Sequence, residues 1–566
     1  MTVRLGPDVT AMRRLVAVAR RSQPADLVIT SGALLDVYTE EILEGWGLVI
    51  AEGRVAYAGP DVERFEAVAR IEGGGHIIAP GLVEGHSHLM RLCLAETMPL
   101  QVAAGVTTTI LEAMELCYIL GPRAVHELLA DASGMPGRVM FTVPTLTGLD
   151  PVFDRDIGIP GREWVELLDL PGVAGVGEAN WVEVVRGHPR VEALLAGAHA
   201  RGMTVEGHGA GAREMNLNPF GAAGITADHE GIDAADTLNR LRLGYYAMVR
   251  QGATRQDLPA ISRLWQETTL ADFGRLALVS DGIEPDNLVA GRSLNHVVAL
   301  AVENGLPLAR AVRLASRNVA ERFGLGRWLG GLAPGMFADL MLLPRDSASL
   351  RPDLVLVGGR TPQPVRTHSY PPEMLRTIRV EGPERSWLEH PGRGRWRAIE
   401  MVAPLITREV ESDGSDCVVA TAIDRMGRRR AFRGLVRGLG LSGGACAVSA
   451  AGDSPCLVVV GDSVDDMAVA VKRLRDLQGG AVVVAGGQVR AEWRAELAGV
   501  LSLAPASEVA TRVTAVNNAL ASLGCVWPNS LLSIETLTTG VIPHLRLWAE
   551  GYVRLRDGAQ LGLRWS

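Results

Sequence analysis

The stretch from Gly81 to about Leu325 alternates short apolar runs with longer helical patterns, and this alternation restricts the fold more than any other feature. The strand-like runs are GVTTTIL, RVMFTVPTL, GVAGVGEA, MTVEGHG, GITADHE and RLALVSDG. Segments between them, such as PRVEALLAGAHARG and LNHVVALAVENG, have the spacing of helices. Because the alternation continues for close to the roughly 250 residues of a TIM-type barrel, we predict an α/β fold built on a (β/α)8 barrel.

Short β-patterns lie on both sides of the predicted barrel. DLVITSGALLDV and GLVIAEGRVAYAG precede it, and FADLMLLP and LRPDLVLVGG follow it, so we predict one composite small β-domain. A further strand–helix–strand pattern, CLVVVGDSVDDMAVAVKRLRDLQGGAVVVAGGQV, predicts a separate C-terminal α/β domain. The predicted boundaries are 1–78 for an N-terminal helix with part of the small β-domain, 79–330 for the barrel, 331–385 for the return to the small β-domain, and 386–566 for the C-terminal domain.

Charge, hydropathy and cysteine pattern exclude several classes of partner. The net charge of -8 gives no basic surface for nucleic acid, and no apolar run approaches the ~20 residues of a membrane helix. The 6 cysteines are widely spread and form no CxxC pair, which is typical of reduced thiols in a cytoplasmic enzyme. We therefore expect a cytoplasmic protein with a small-molecule substrate and neither a nucleic-acid nor a membrane partner.

The sharpest local motif is APGLVEGHSHLM, in which an apolar run ends in His86-Ser87-His88. Side chains alternate along a strand, so His86 and His88 are expected to point to the same side and could share a metal ion. Taken alone, the pair could equally be two polar histidines in a loop.

Four further residues of metal-ligand type each follow a strand-like run. They are Glu178 after GVAGVG, His208 after MTVEG, His229 after GITAD and Asp281 after RLALVS. In a barrel the C-terminal ends of the strands converge on one face, so the six side chains are expected to meet there. The alternative is that they are ordinary buried or capping polar residues.

Six protein ligands exceed the needs of one tetrahedral ion. They suit two divalent metal ions bridged by Glu178 and a water, because paired cations generate hydroxide near neutral pH and polarise the substrate. We predict that Asp281 is the general base, although it could be a ligand without a proton role. Imidazole and carboxylate ligands suit Zn, Mn or Fe.

At these residues the sequence resembles the amidohydrolase superfamily, and specifically its adenine deaminases. The resemblance covers nearly the whole chain. The motifs that carry it are PGLVEGHSHL, GEANW, GHGAG, DHE, SDG, LAPGMFADLMLL and, in the C-terminal region, GGAVVVAGGQV, LGCVWPNSLLS and GVIPHLRL. The resemblance implies a barrel, a composite β-domain, an adenine deaminase-like C-terminal domain and a binuclear site, commonly of iron or manganese. It also implies hydrolytic loss of ammonia from adenine and makes a homo-oligomer plausible.

The departures from the family pattern lie near the substrate. Ile-Glu-Ser-Ser after the histidine pair is here Leu89-Met90-Arg91-Leu92, and Asp-Pro-His-Glu is here Glu112-Ala113-Met114-Glu115. Asp-Asp-Arg becomes Asp281-Gly282-Ile283, and Gly-His-Ile-Asp becomes Gly291-Arg292-Ser293-Leu294. The predicted substrate-binding residues are Met90, Arg91, Glu112, Met114, Glu115 and Arg292.

These departures leave three functions open. The first is hydrolytic deamination of adenine or a related aminoheterocycle, with drift confined to surrounding loops. The second is hydrolysis of an amide, lactam or N-acyl bond in a less polar or anionic substrate, since two arginines are gained where polar groups are lost. The third is a non-catalytic paralogue, which the complete set of metal ligands argues against.

Overall fold

The N-terminal region is a helix followed by short strands. The computed structural model describes residues 6–30, 32–146, 162–268, 270–449, 454–542 and 544–565. The helix spans Val9–Ala19 and is capped by the Asp8 carboxylate, which accepts the Ala11 N–H at 2.8 Å. The strands that follow are β1 (Ala25–Thr30), β2 (Ala33–Asp36), β3 (Glu41–Glu44), β4 (Gly47–Ala51), β5 (Arg54–Gly59), β6 (Ala67–Glu72) and β7 (His76–Pro80), with a 3-10 turn at Val62–Arg64. Four of them form a sheet of order β5-β4-β1-β6.

Eight parallel strands then form the barrel. They are β8 (Leu82–Ser87), β9 (Val106–Glu112), β10 (Arg138–Pro144), β11 (Val173–Asn180), β12 (Thr204–His208), β13 (Ala227–Asp228), β14 (Tyr246–Arg250) and β15 (Leu276–Val279). Each strand pairs in parallel with its neighbour in sequence. The first and last strands meet where the Asp281 N–H donates to the His86 carbonyl at 3.1 Å. The predicted (β/α)8 barrel is confirmed.

Helices cover the outside of the barrel. They are Leu94–Ala103, Met114–Leu120, Arg123–Ala132, Arg162–Glu166, Trp181–Arg186, Pro189–Ala200, Glu214–Ala222, Ala234–Arg242, Leu258–Ile261, Arg263–Glu267, Pro285–Val289, Leu294–Glu303, Leu308–Leu314 and Arg317–Arg322, with a 3-10 turn at Leu167–Asp169. Their apolar faces pack on the strands, as Val298 and Val312 do on Leu278. Across the described ranges, no helix combines the length and apolar character needed to cross a membrane.

After the barrel the chain returns to the N-terminal β-region. Strand β16 (Leu340–Pro344) pairs antiparallel with β7, opposing Leu342 to Ile78, and β17 (Leu354–Leu356) pairs with β16. The resulting sheet has the order β17-β16-β7-β2-β3, so stretches from both sides of the barrel share one sheet. Buried Leu27, Ile50 and Leu340 belong to the apolar core of this region. The residue boundaries of the domains stay predictions.

The C-terminal region is built on a second eight-stranded sheet. Its strands are β18 (Trp396–Ala403), β19 (Ile406–Ser412), β20 (Val418–Asp424), β21 (Ala431–Arg437), β22 (Ala445–Val448), β23 (Cys456–Gly461), β24 (Gly480–Ala485) and β25 (Gln488–Arg494), in the order β19-β18-β21-β20-β23-β22-β24-β25. A three-stranded sheet adds β26 (Leu545–Trp548), β27 (Gly551–Arg554) and β28 (Ala559–Leu561). The helices are Arg385–Leu388, Val464–Leu477, Ala506–Ser522 and Ser530–Glu535, with 3-10 turns at Pro372–Leu375 and Thr536–Thr538.

This C-terminal region packs against the barrel at the end where the catalytic face is expected. Leu92 and Ile283, from loops that follow barrel strands, share an apolar cluster with Trp493 and Leu531. The backbone of Ser502 donates to the Arg91 carbonyl at 2.7 Å and accepts from the Cys93 N–H at 3.1 Å. The C-terminal region therefore covers the C-terminal ends of the barrel strands.

Candidate metal centre and substrate cavity

The six predicted metal ligands lie at the C-terminal ends of five barrel strands. His86 and His88 are at the end of β8 and just beyond it, and Glu178 is in β11; His208 ends β12, and His229 and Asp281 follow β13 and β15. Glu178 and Asp281 have φ angles of 28° and 55°, in a region that non-glycine residues rarely occupy. Such strain, which costs of order 1–3 kcal/mol per residue, is tolerated where the surroundings fix a functional side chain.

One group of donor atoms converges from His86, His88, Glu178 and Asp281. Glu178 Oε1 lies 3.4 Å from His86 Nε2 and 3.3 Å from His88 Nε2. Asp281 Oδ1 lies 3.1 Å from His86 Nε2 and 3.4 Å from His88 Nε2. Two atoms that each bind one ion at about 2.1 Å stand about 3.0–3.4 Å apart, so this spacing suits a shared metal.

A second group joins Glu178 to His208 and His229. Glu178 Oε1 is 3.7 Å from His208 Nδ1 and 3.4 Å from His229 Nε2, so this carboxylate belongs to both groups. His208 and His229 are buried, yet neither ring has a hydrogen-bond partner for either nitrogen within the described residues. Buried imidazole nitrogens without partners are costly unless a ligand occupies them, and the donor set therefore fits a metal.

The Asp281 carboxylate is held from the side opposite the histidines. Its Oδ2 accepts the Thr254 hydroxyl and lies 3.4 Å from Arg250 Nη1. Burial alone would raise the pKa of Asp281, but the hydrogen bonds from His86 and His88 and the charge of Arg250 hold it well below its ordinary value. Arg250, which ends β14, also pairs with Glu230 and Asp257, so its charge is neutralised locally.

The metal centre opens into a cavity of about 510 Å³. Barrel residues and C-terminal residues both line it. The apolar part of the wall comprises Leu89, Met90, Met114, Ala210, Ala212, Ile232, Leu405, Ile406, Val500, Leu532, Val541 and Ile542. Since the C-terminal region supplies about half of these side chains, the cavity is complete only when both regions are present.

Comparison with known proteins agrees with this arrangement. Residues 397–558 match the family model of the adenine deaminase C-terminal domain. The chain is 32% identical to an adenine deaminase of Moorella thermoacetica, covering 97% of this chain and 97% of the relative. It is 31% identical to one of Archaeoglobus fulgidus, covering 96% of this chain and 97% of the relative. The chain belongs to the adenine deaminase family of the amidohydrolase superfamily.

The family and the hydrolase class predicted from the motifs are thus confirmed. Among solved structures, the β-aspartyl dipeptidase of Fervidobacterium islandicum has 16% identity and a TM-score of 0.45, covering 62% of this chain and 99% of its own.

The predicted substrate-binding residues of this family member fall into three places. Met90, Arg91, Met114 and Glu115 line the cavity beside the metal centre. Glu112 is buried beneath it, 3.7 Å from His86 Nδ1, in space that Gly177 leaves open, because a Cβ at Gly177 would meet the Glu112 carboxylate at 1.9 Å. Arg292 lines a different cavity, between the barrel and the helix Ala506–Ser522.

Two of these residues contact other protein groups and do not face open space. Glu115 Oε1 lies 2.6 Å from His88 Nδ1, where it fixes the orientation of that imidazole. The Arg91 guanidinium is 3% exposed and bonds to both Glu284 and Glu535. Its charge is therefore compensated and is not available to attract an anionic substrate.

Sequence reasoning missed Glu206, a buried carboxylate in β12. Glu206 Oε1 lies 2.7 Å from His86 Nδ1 and 3.4 Å from His229 Nδ1, and its Oε2 lies 3.3 Å from Arg322. Burial would raise the pKa of Glu206, but His86 and Arg322 keep it below its ordinary value. The Glu206 carboxylate thus forms ion pairs, without hydrogen bonds, at Nδ1 of both rings and leaves their Nε2 atoms to face the metal centre, so we expect its charge to favour the orientation of two candidate ligands.

Proposed function

We propose that this protein hydrolyses adenine, converting adenine and water to hypoxanthine and ammonia with two divalent metal ions in the site. The observation that carries the proposal is the Glu178 carboxylate, which both histidine pairs share at the wall of the cavity. The full-length similarity to proteins named adenine deaminase supports the same reaction.

Two of the groups of donor atoms support a separate set of residues for each ion. His86, His88, Glu178 and Asp281 would hold one ion, and Glu178, His208 and His229 would hold the other. Imidazole and carboxylate donors suit Mn, Fe or Zn. When bound, a pair of such ions supplies a strongly acidified water and polarises the substrate.

The protein's own residues then position the reactants and move the proton. The Asp281 carboxylate takes a proton from the attacking water. It then gives this proton to the amino nitrogen of the substrate, which leaves as ammonia. Thr254 holds the Asp281 carboxylate in place through Oδ2. Leu532, Val541 and other apolar side chains of the C-terminal region exclude bulk water from the cavity.

The test is ammonia release from adenine by protein loaded with Mn, Fe or Zn, with metal content measured on the same sample. We expect equimolar ammonia and hypoxanthine, and a loss of several orders of magnitude in kcat for Asp281→Asn at unchanged fold. Fully metal-loaded protein that releases no ammonia from adenine would refute the proposal.

The apolar wall of the cavity favours one second candidate, hydrolysis of a C–N bond in a less polar amide, lactam or N-acyl compound. The same metal centre would serve, and the compensated charge of Arg91 argues for a neutral rather than an anionic substrate. A screen of aminopurines, pterins, cyclic amides and N-acyl compounds separates the two, since only deamination releases ammonia from the aminoheterocycles.

We further propose a homo-oligomer, which the exposed apolar side chains of Val9, Met12 and Val16 on the N-terminal helix support. Light scattering of the purified protein tests this. The cytoplasmic location stays a prediction.

A further inference from the structure

Glu535 is the one acidic side chain that the described C-terminal residues beyond Trp396 contribute to the cavity wall. It ends the helix Ser530–Glu535, and its neighbours on the wall are apolar or hydroxyl side chains such as Leu532 and Thr536. Only 3% of Glu535 is exposed. A carboxylate in such surroundings is costly unless it has partners, so its contacts define what it can do.

One partner of Glu535 is Arg91, which follows the histidine pair of the metal centre. Arg91 Nη1 donates to Glu535 Oε1, while Arg91 Nε and Nη2 donate to the two oxygens of Glu284 at 2.8 and 3.0 Å. Glu284 also accepts the side-chain amide of Asn529 at 2.9 Å. Both oxygens of Glu284 are thus engaged and Glu284 does not line this cavity, whereas the hydrogen bond that Glu535 makes within the described residues uses Oε1 and leaves Oε2 free.

We propose that Glu535 accepts a ring N–H of the substrate and so makes the C-terminal region part of the substrate-selecting surface. The inference rests on the proposed deamination of adenine, in which the amino group faces the metal centre and the imidazole ring points away from it. The N–H of that ring is the donor that an anchored carboxylate oxygen would recognise. The site is then selective for a free base over one alkylated on the imidazole nitrogens.

The charge balance around Arg91 agrees with this role. Two carboxylates share one guanidinium, and burial raises the pKa of Glu535 to about 7 although Arg91 opposes the rise. Above neutral pH Glu535 is therefore ionised and can act only as an acceptor through its free oxygen. Arg91 and Glu284 are the charged barrel groups that act on it most strongly, and the Cys446 thiol of β22 also interacts with it electrostatically.

The experiment compares wild type, Glu535→Gln and Glu284→Gln at pH 8.5, with adenine, 7-methyladenine and 9-methyladenine as substrates. In Glu535→Gln, the amide oxygen of the new side chain can still accept a hydrogen bond from Arg91. Its NH2 group then faces the N–H of the substrate, and two donors cannot form a hydrogen bond with each other. We expect kcat/KM for adenine to fall about 10- to 100-fold, as for a lost charge-assisted hydrogen bond, while the methyladenines change less than about 3-fold.

Glu284→Gln is the matched control, because it perturbs the same guanidinium from outside the cavity. We expect it to keep the wild-type ratio of adenine to methyladenine activity. Binding of hypoxanthine, measured by calorimetry, should weaken in Glu535→Gln and not in Glu284→Gln, which separates recognition from the chemical step. Thermal unfolding of all three proteins reports any loss of fold.

The outcomes separate this inference from the proposed function. Wild type that is loaded with metal and inactive on adenine overturns the proposed function, and the inference falls with it. Active wild type with an unchanged substrate ratio in Glu535→Gln overturns the inference alone. If Glu535→Gln does not fold, the wild-type protein still tests the inference. Equal kcat/KM values of wild type for adenine and 9-methyladenine would overturn it.

Discussion

Glu206→Gln tests how the barrel interior supports the metal centre. The side chain is 1% exposed, and its two oxygens contact the Nδ1 atoms of His86 and His229 and the guanidinium of Arg322. The substitution keeps the shape of the side chain and removes its charge. It therefore acts on two quantities: the orientation of two metal ligands and the compensation of a buried arginine.

The contacts of Glu206 indicate how large the effects on stability and on metal affinity should be. In the described chain, the ion pair that Arg322 makes is with Glu206, and Nε and Nη1 of Arg322 have no hydrogen-bond partner. Loss of the charge on Glu206 leaves a buried cation uncompensated, which costs about 3–5 kcal/mol of the free energy of unfolding. Loss of the carboxylate charge beside Nδ1 of His86 and His229 lowers metal affinity by about 10- to 100-fold.

A double-mutant cycle with Arg322→Met separates the two effects. Denaturant unfolding of the metal-free proteins should show that Glu206→Gln in the Arg322→Met background costs at least about 2 kcal/mol less than in wild type, because no cation is left unpaired. Metal affinity, measured by competition with a chromogenic chelator, should stay low in the double variant because both imidazoles still lack their carboxylate.

Two results would refute this reasoning. Additive stability losses would show that Glu206 does not compensate Arg322. Wild-type metal affinity in the double variant would show that the loss in Glu206→Gln came from the strained interior and not from the orientation of His86 and His229.

Two more predictions concern metal removal and pH. Chelation should lower the unfolding free energy by about 2.7 kcal/mol for protein that held metal at 100 times its Kd, and metal add-back should restore it; an unchanged calorimetric midpoint would contradict a metal-supported fold. Burial raises the pKa of Glu535 to about 7, above the ~4.3 of an unfolded glutamate, so the folded state binds the extra proton and wild-type stability falls as pH rises between these values. Relative to Glu535→Gln, wild type should lose about 3 kcal/mol between pH 4.5 and 8, and parallel stability profiles of the two proteins would count against it.

The strand-end rule explains why six candidate metal ligands can be predicted from the sequence. Each predicted ligand follows or ends an apolar run, and parallel strands bring those ends to one face of the barrel. The same rule also applies to two residues that are not among these predictions. Glu206 lies two positions before His208 and so points to the same side of β12, and Arg250 ends β14. A search restricted to metal-ligand types at the last position of each run does not find them.

The substrate side was less predictable because its partners are distant in sequence. Arg91 suggested a free cation near the substrate, but its compensating carboxylates are 193 and 444 residues away. Arg292 follows a barrel strand in sequence, yet the helix that carries the chain onward places it in another cavity. The sequence pattern of one segment does not indicate which side chain of a separate region lies opposite that segment.

The position of Arg91 links the barrel motif to the C-terminal region. Arg91 lies three positions after His88 and four before Ala95, and it is 3% exposed. Without carboxylate partners, this buried charge would destabilise the fold by several kcal/mol. Glu284 supplies one partner from the barrel, and Glu535 supplies the other from the region that closes the cavity. The buried Arg91 beside the candidate metal ligands is therefore stabilised by a carboxylate that lines the cavity wall. Arg91 and Glu535 should accordingly be changed together in any attempt to redirect the substrate preference, because either change alone leaves one buried charge less well compensated.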